Sequence, residues 1–449
     1  MDSAPSPPRE EVASAAPRGR GLGLWSGVGL VMANMVGVGV LTSTGFMARD
    51  LGPSAILAAW LLGGLAAMAG ARAYAALAEI IPRSGGEYRF LSDLLHPAVG
   101  TLAGWTSLLI GFSAPIALGA AIAGPYAATL VPGVNPSLVG AGLIVALTLA
   151  HALDLSWSRG TQNLLAVAKA VVLVGFVAVG LVAGRHAWPT WRPPVDGPGL
   201  PVKPFMISLV YIAFAYSGWN TAVYAAEEFR EPRRSVPRAL LLGTGVVTAF
   251  YAAINWVFVA NLSSEQLTRW ASNDAKRITV GHLLVAQLAG PGAAKAMSAL
   301  VILALVSLMS AMVLVGPRVC GAMAREGYLP RALAGREGKP PAGAVYLQNG
   351  VALALLFTHS FERLMQNAGA VLTLTSALTV ATLFRVRFGR TPYPKPGVVP
   401  LVAAALFIAL SAWMLWFAFR DSWTAVAWVA GTCAVAAVGY VATRLARRA

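Results

Sequence analysis

The chain has 449 residues, 57% of them hydrophobic and 12% charged, with a mean hydropathy of +0.67, against roughly 25% charged residues in an ordinary soluble domain. That balance excludes a soluble enzyme or binding module and predicts an all-α integral membrane protein with about twelve spans by hydropathy. The net charge of +16 comes without the basic stripe and interleaved aromatic residues of nucleic-acid binding, so it belongs to loops.

Residues 1–20, rich in Pro, Ser, Ala and Arg and lacking an apolar stretch, read as a disordered tail rather than a cleavable signal. The first uncharged run, Leu22 to Met47, lies between Arg20 and Arg49 and is long enough to cross a hydrocarbon core of about 30 Å. Its centre is a poor helix, because Gly37-Val38-Gly39 is followed by Thr42, Ser43, Thr44 and Gly45. Unwound backbone is not tolerated against lipid, so these peptide groups are expected to line a cavity or meet a ligand. Gly52-Pro53 turns the chain into a second span that ends near Ile81, followed by Pro82-Arg83-Ser84-Gly85-Gly86-Glu87-Tyr88.

Spans three to five are predicted at about Ala98–Ala123, Ser137–Ala152 and Gln162–Ala183. A polar, Pro-rich loop follows to Lys203, with Trp188 and Trp191 suited to a membrane interface. The sixth span, Pro204 to Ala226, repeats the design of the first: it is uncharged and breaks at Ser217-Gly218 within Phe214-Ala215-Tyr216-Ser217-Gly218-Trp219-Asn220. Paired interrupted segments point to a transporter binding site, although glycines also serve close helix packing. Span seven, about Ala239–Ala260, carries Tyr251 and Asn255 one turn apart, and span eight is expected over Ala294–Leu314. Spans nine to twelve follow at about Ala344–Thr358, Leu364–Phe384, Val398–Phe419 and Ala425–Thr443.

With the N-terminus inside and the spans alternating, Lys and Arg divide 22 against 10 in favour of the inner side, with Arg72 and Lys169 inside spans completing the 34. The positive-inside rule therefore puts both termini in the cytoplasm of a multi-pass cell-membrane protein. Cys320 and Cys433 are the only cysteines, so no structural disulfide is expected. Neither a metal site nor a cofactor is expected, and His96, His151, His186, His282 and His359 are too scattered for an intramembrane enzyme.

The interrupted Gly37-Val38-Gly39 helix, Tyr74 to Glu79, the Pro82 to Tyr88 segment, Phe214 to Asn220 with Glu227-Glu228, and Ala322 to Pro330 together resemble the amino acid–polyamine–organocation (APC) superfamily of permeases, most closely its L-type amino acid transporter branch. The resemblance covers nearly the whole chain. It implies a leucine-transporter-type 5+5 inverted repeat with helices 1 and 6 broken: a first five-helix repeat over 21–184, an outer loop over 185–203, a second repeat over 204–390, and helices 11 and 12 over 391–449.

An α-amino acid carries a carboxylate and an ammonium on one carbon. The family grips both with freed peptide groups: N–H groups around Val38, Gly39 and Val40 face the carboxylate at a helix N-terminus. Carbonyls around Met35 and Val36, and near Phe214 and Ser217, accept from the ammonium. Phe214 stands where family members carry an aromatic that covers the bound substrate, with an ordinary core phenylalanine as the alternative, and Asn220 bonds substrate or holds the broken helix by satisfying freed backbone. Lys169 stands on the fifth span where sodium-independent relatives carry a lysine in place of the ion, with snorkelling to the interface as the alternative.

The acidic residues within or bordering spans, chiefly Asp50, Glu79, Asp154, Glu227, Glu228 and Glu362, lie near span ends. The expected cargo is therefore a neutral L-amino acid, moved by exchange or with protons. A cationic amino acid or polyamine permease and a non-transporting sensor are the alternatives. The outer loop Pro125 to Ser137 lacks the cysteine by which some relatives hold a heavy subunit, so a monomer or noncovalent dimer is expected.

Overall fold

Inside a bilayer every backbone N–H and C=O must find its partner within the chain, and helices do this segment by segment. The structure, a computed structural model, describes residues 21–446 apart from 38, 154–170, 172, 185–200, 264, 267–268, 270–272, 274–278, 326, 328 and 336–340. Its elements begin with α1 (Leu24–Met35), α2 (Gly39–Met47), α3 (Pro53–Ile80), α4 (Glu87–Leu94) and α5 (Pro97–Thr106). A π-helical turn, Ser107–Phe112, joins α5 to α6 (Ser113–Leu130). There follow α7 (Pro136–Ala152), α8 (Leu173–Ala183) and α9 (Val202–Ala215), then a 3₁₀ segment, Thr221–Glu228. The chain closes with α10 (Pro232–Asn261), α11 (Val280–Arg325), α12 (Ala342–Thr358), α13 (Phe361–Phe388), α14 (Val398–Asp421) and α15 (Trp423–Ala446).

Among the described residues, seven helical stretches are long and apolar enough to cross a membrane, and five shorter apolar helices accompany them. Their ends carry the expected signals. Pro97, Pro136 and Pro232 sit in first turns, where a missing N–H costs nothing. Asn135 caps α7 by accepting from the Ser137 and Leu138 N–H groups.

Two boundaries differ from the sequence reading. Residues 280–289, which precede the span expected over Ala294–Leu314, are helical within α11, which bends at Gly290 (φ 83°) ahead of Pro291. The helix that carries the seventh span starts at Pro232, ahead of Ala239, because a helix does not stop where the apolar residues do: charged Arg233, Arg234 and Arg238 extend it beyond the hydrophobic stretch.

Packing follows the rule for membranes, where small residues let backbones approach. On α3 a Cβ at Gly63 would stand 2.3 Å from Ile212 Cγ2 of α9, and one at Gly64 would stand 2.5 Å from Thr248 Cγ2 of α10. α3 thus lies against α9, α10 and α14, while α6 packs against α11, α7 and α12. α1 rests on α10, and α2 touches α9, α10 and α11. α15 is the least covered, with Trp423, Val438 and Val441 exposed on its outer face.

Candidate functional site: a cavity between two broken helices

α1 stops at Met35, and Val36 leaves the helix with an extended backbone (φ −69°, ψ 91°) before α2 starts at Gly39. α9 stops at Ala215; Tyr216 and Ser217 close a last turn onto Ile212 and Phe214, and Gly218 takes φ +100°. The two breaks face each other. A Cβ at Gly218 would lie 2.9 Å from both the Asn34 carbonyl carbon and its oxygen, so only glycine suits both the dihedral angle and the contact. Gly39 makes the matching approach from the other side, where a Cβ would stand 2.5 Å from Ala215 Cβ.

α10 holds the breaks in place. The Tyr251 hydroxyl lies 2.7 Å from the Met35 carbonyl and 3.1 Å from the Ala215 carbonyl, donating between the frayed ends of α1 and α9. One turn on, Asn255 donates to the Tyr251 carbonyl at 2.9 Å and accepts from the Thr44 hydroxyl of α2. Trp60 and Tyr216 pack edgewise on the Tyr251 ring, with centroids 5.4 and 4.9 Å away.

Between the breaks lies a cavity of about 150 Å³, on the order of ten waters at roughly 10–15 Å³ each. That is room for a molecule of about ten non-hydrogen atoms and too little for a peptide. Met35, Gly37 and Gly39 line it from the first break, and Phe214 to Asn220 from the second. Phe112, Leu308, Met312 and Leu372 form apolar walls, and Thr106, Ser107 and Ser376 add hydroxyl groups. The π-helical turn supplies Ser107, Gly111 and Phe112 to this wall, and Ser113 Oγ caps the turn by donating to the Leu108 carbonyl at 2.8 Å. Such a bulge re-aims side chains without breaking a helix.

Of the residues singled out in the sequence, Met35, Gly39, Phe214, Ser217 and Asn220 meet at this cavity. Val36 and Val40 are buried, but their side chains are not part of its lining. Val38 and Lys169 lie outside the described residues. The Met35 carbonyl accepts from Tyr251, and the Asn220 amide donates to Glu87.

Glu87 is a cavity residue that the sequence does not single out, because Pro82 to Tyr88 lies beyond the end of an apolar span. Gly85 (φ 128°) and Gly86 (φ 60°) turn the chain inward there, and α4 starts with Glu87 in its first turn. The legible signal was a Gly-Gly pair directly before a carboxylate that opens a helix. Among the described residues it is the only charged side chain lining the cavity.

Contacts between elements tie down both ends of the broken-helix pair. Where α2 finishes and α9 begins, Phe46 stacks on Phe361 at 5.2 Å, Tyr211 donates to Glu362 at 3.1 Å, and Lys203 pairs with Asp421 at 2.7 Å. Where α1 begins, the Leu22 N–H donates to the Glu228 carbonyl at 2.7 Å and the Arg230 N–H to the Leu22 carbonyl at 3.1 Å.

The family model described as amino acid permease matches residues 22–442. The large neutral amino acids transporter small subunit 2 of Mus musculus is 26% identical over 417 residues, spanning 88% of this chain and 76% of that protein. The protein of the same name from Oryctolagus cuniculus is 27% identical over 410 residues, 88% of this chain and 75% of its own. The Asc-type amino acid transporter 1 of Mus musculus is 24% identical over 419 residues, 89% and 76%. The match runs from the residues just before α1 into α15 and takes in both breaks and the cavity between them, so this multi-pass membrane chain belongs to the amino acid permease family.

Proposed function

We propose that this protein moves neutral L-amino acids across the cell membrane by alternating access, without sodium, in exchange or together with protons. The observation that carries this is the pair of helix breaks, one after Met35 and one after Ala215, facing one cavity of about 150 Å³. The mostly apolar walls suit an uncharged side chain, and the names of the similar mammalian transporters support the same cargo.

In this reading the first N–H groups of α2, near Val38, Gly39 and Val40, receive the substrate carboxylate at a helix N-terminus. The second lone pairs of carbonyls around Met35, Val36, Phe214 and Ser217 take the ammonium. Phe214 covers the ligand. Lys169 replaces sodium. Among the described residues, seven long and five shorter apolar helices support twelve spans, arranged as two five-helix repeats over 21–184 and 204–390 with two further helices beyond, both termini cytoplasmic, in a monomer or noncovalent dimer.

Counterflow in proteoliposomes across a panel of radiolabelled amino acids, with and without a pH gradient, tests the reading. Exchange of alanine, leucine or glutamine well above empty vesicles is the expected result. Binding of these amino acids without counterflow would make the protein a sensor, and arginine or polyamine uptake as strong as alanine uptake would make it a cationic carrier.

A further inference from the structure

Glu87 is only 4% exposed, and three elements hold its carboxylate. Tyr74 of α3 donates to Oε1 at 2.9 Å, the Asn220 amide beyond the second break donates to the same oxygen, and the Tyr224 hydroxyl of the 3₁₀ segment donates to Oε2. All three donors are neutral. Among the described residues no Lys, Arg or His forms an ion pair with Glu87. A buried charge held by neutral dipoles alone is costly to keep, and its field acts across the low-dielectric cavity it lines. A carboxylate presents about four acceptor positions. Two on Oε1 and one on Oε2 are filled, so among the described residues one position on Oε2 receives no protein donor, on a side chain that lines the cavity.

We propose that Glu87 is the specificity-determining carboxylate of this cavity. It repels amino acids with acidic side chains and accepts a hydrogen bond from an amide or hydroxyl on the substrate. Tyr74, Asn220 and Tyr224 act as positioning residues that fix its two oxygens. This inference rests on the amino acid transport reading above.

The test uses the full chain in proteoliposomes and reads the ratios of kcat/KM for glutamate, glutamine and leucine. If the natural sequence exchanges no neutral amino acid, the transport reading fails, whatever Glu87 does. If it exchanges leucine, Glu87→Gln decides, because it keeps the side-chain shape and removes the charge. The glutamate-to-leucine ratio is expected to rise at least about tenfold, roughly 1.4 kcal/mol, and the glutamine-to-leucine ratio to fall. Unchanged ratios would overturn the inference.

Tyr224→Phe carries the test if Glu87→Gln does not fold. It keeps the charge and opens a second acceptor position on Oε2, so glutamate stays excluded while the glutamine-to-leucine ratio rises. Admission of glutamate by Tyr224→Phe would show that the hydroxyl cage, not the charge, sets the selectivity, and would sink the proposal.

Discussion

Tyr251 sits where neither broken helix can satisfy its own end. Its single O–H is shared between the Met35 and Ala215 carbonyls, so Tyr251→Phe removes one buried donor from both, at about 1–3 kcal/mol in all. A thermal melt of the detergent-purified variant is expected several degrees below that of the natural sequence, with counterflow reduced. An unshifted melt would mean that other donors hold the breaks. Two neighbouring glycines separate site from packing. A Cβ at Gly37 would meet only the Met35 carbonyl oxygen at 3.7 Å and Leu308 Cδ2 at 3.8 Å, ordinary contacts, so Gly37→Ala folds and puts a methyl group into the cavity. Its KM for leucine is expected to rise several-fold with an unchanged melt. Gly39→Leu drives its side chain into Ala215 and costs stability as well, about 1–3 kcal/mol as an overpacked contact. The sequence marks both glycines as special. It does not tell that Gly39, unlike Gly37, also packs tightly against a neighbouring helix, because that depends on where Ala215, 176 positions away, comes to rest.

At the scale of elements, the two breaks are the most legible feature. Glycine beside β-branched or polar residues in the middle of an uncharged run weakens a helix whatever surrounds it. The Ser107–Phe112 π-helical turn is not legible, since Ser-Leu-Leu-Ile-Gly-Phe suits an α-helix locally. Nor is the short parallel bridge that ties Leu22, ahead of α1, to Phe229 after the 3₁₀ segment. Through it the starts and ends of the two broken helices are coupled where α1 begins, and Arg230 Nε adds a bond to the Gly21 carbonyl at 2.9 Å. Leu22→Pro removes the donor that reaches Glu228. The expected outcome is a slower counterflow rate with little change in KM, read from initial rates at several leucine concentrations; a raised KM with an unchanged rate would place the bridge in binding instead.

For the whole molecule, the outcome that matters is the coupling ion. Exchange of sodium for choline outside the vesicles is expected to leave leucine uptake unchanged, while Lys169→Ala abolishes it with the protein still folded by thermal melt. A sodium-stimulated natural protein would remove Lys169 from that role. The sequence by itself determined that this is a helical membrane protein of the permease family, because hydropathy, charge asymmetry and glycine-broken spans are local properties that lipid reads one segment at a time. Only the tertiary structure decided what fills the space between those spans. Glu87 reaches the cavity through a turn of two positive-φ glycines, Asn220 spends its amide on that carboxylate, and Tyr251 holds the two breaks together. The reason is physical: a chain pattern sets which groups leave a helix unpaired, whereas the partner each one finds is fixed by helices distant in sequence packing to within a few ångströms.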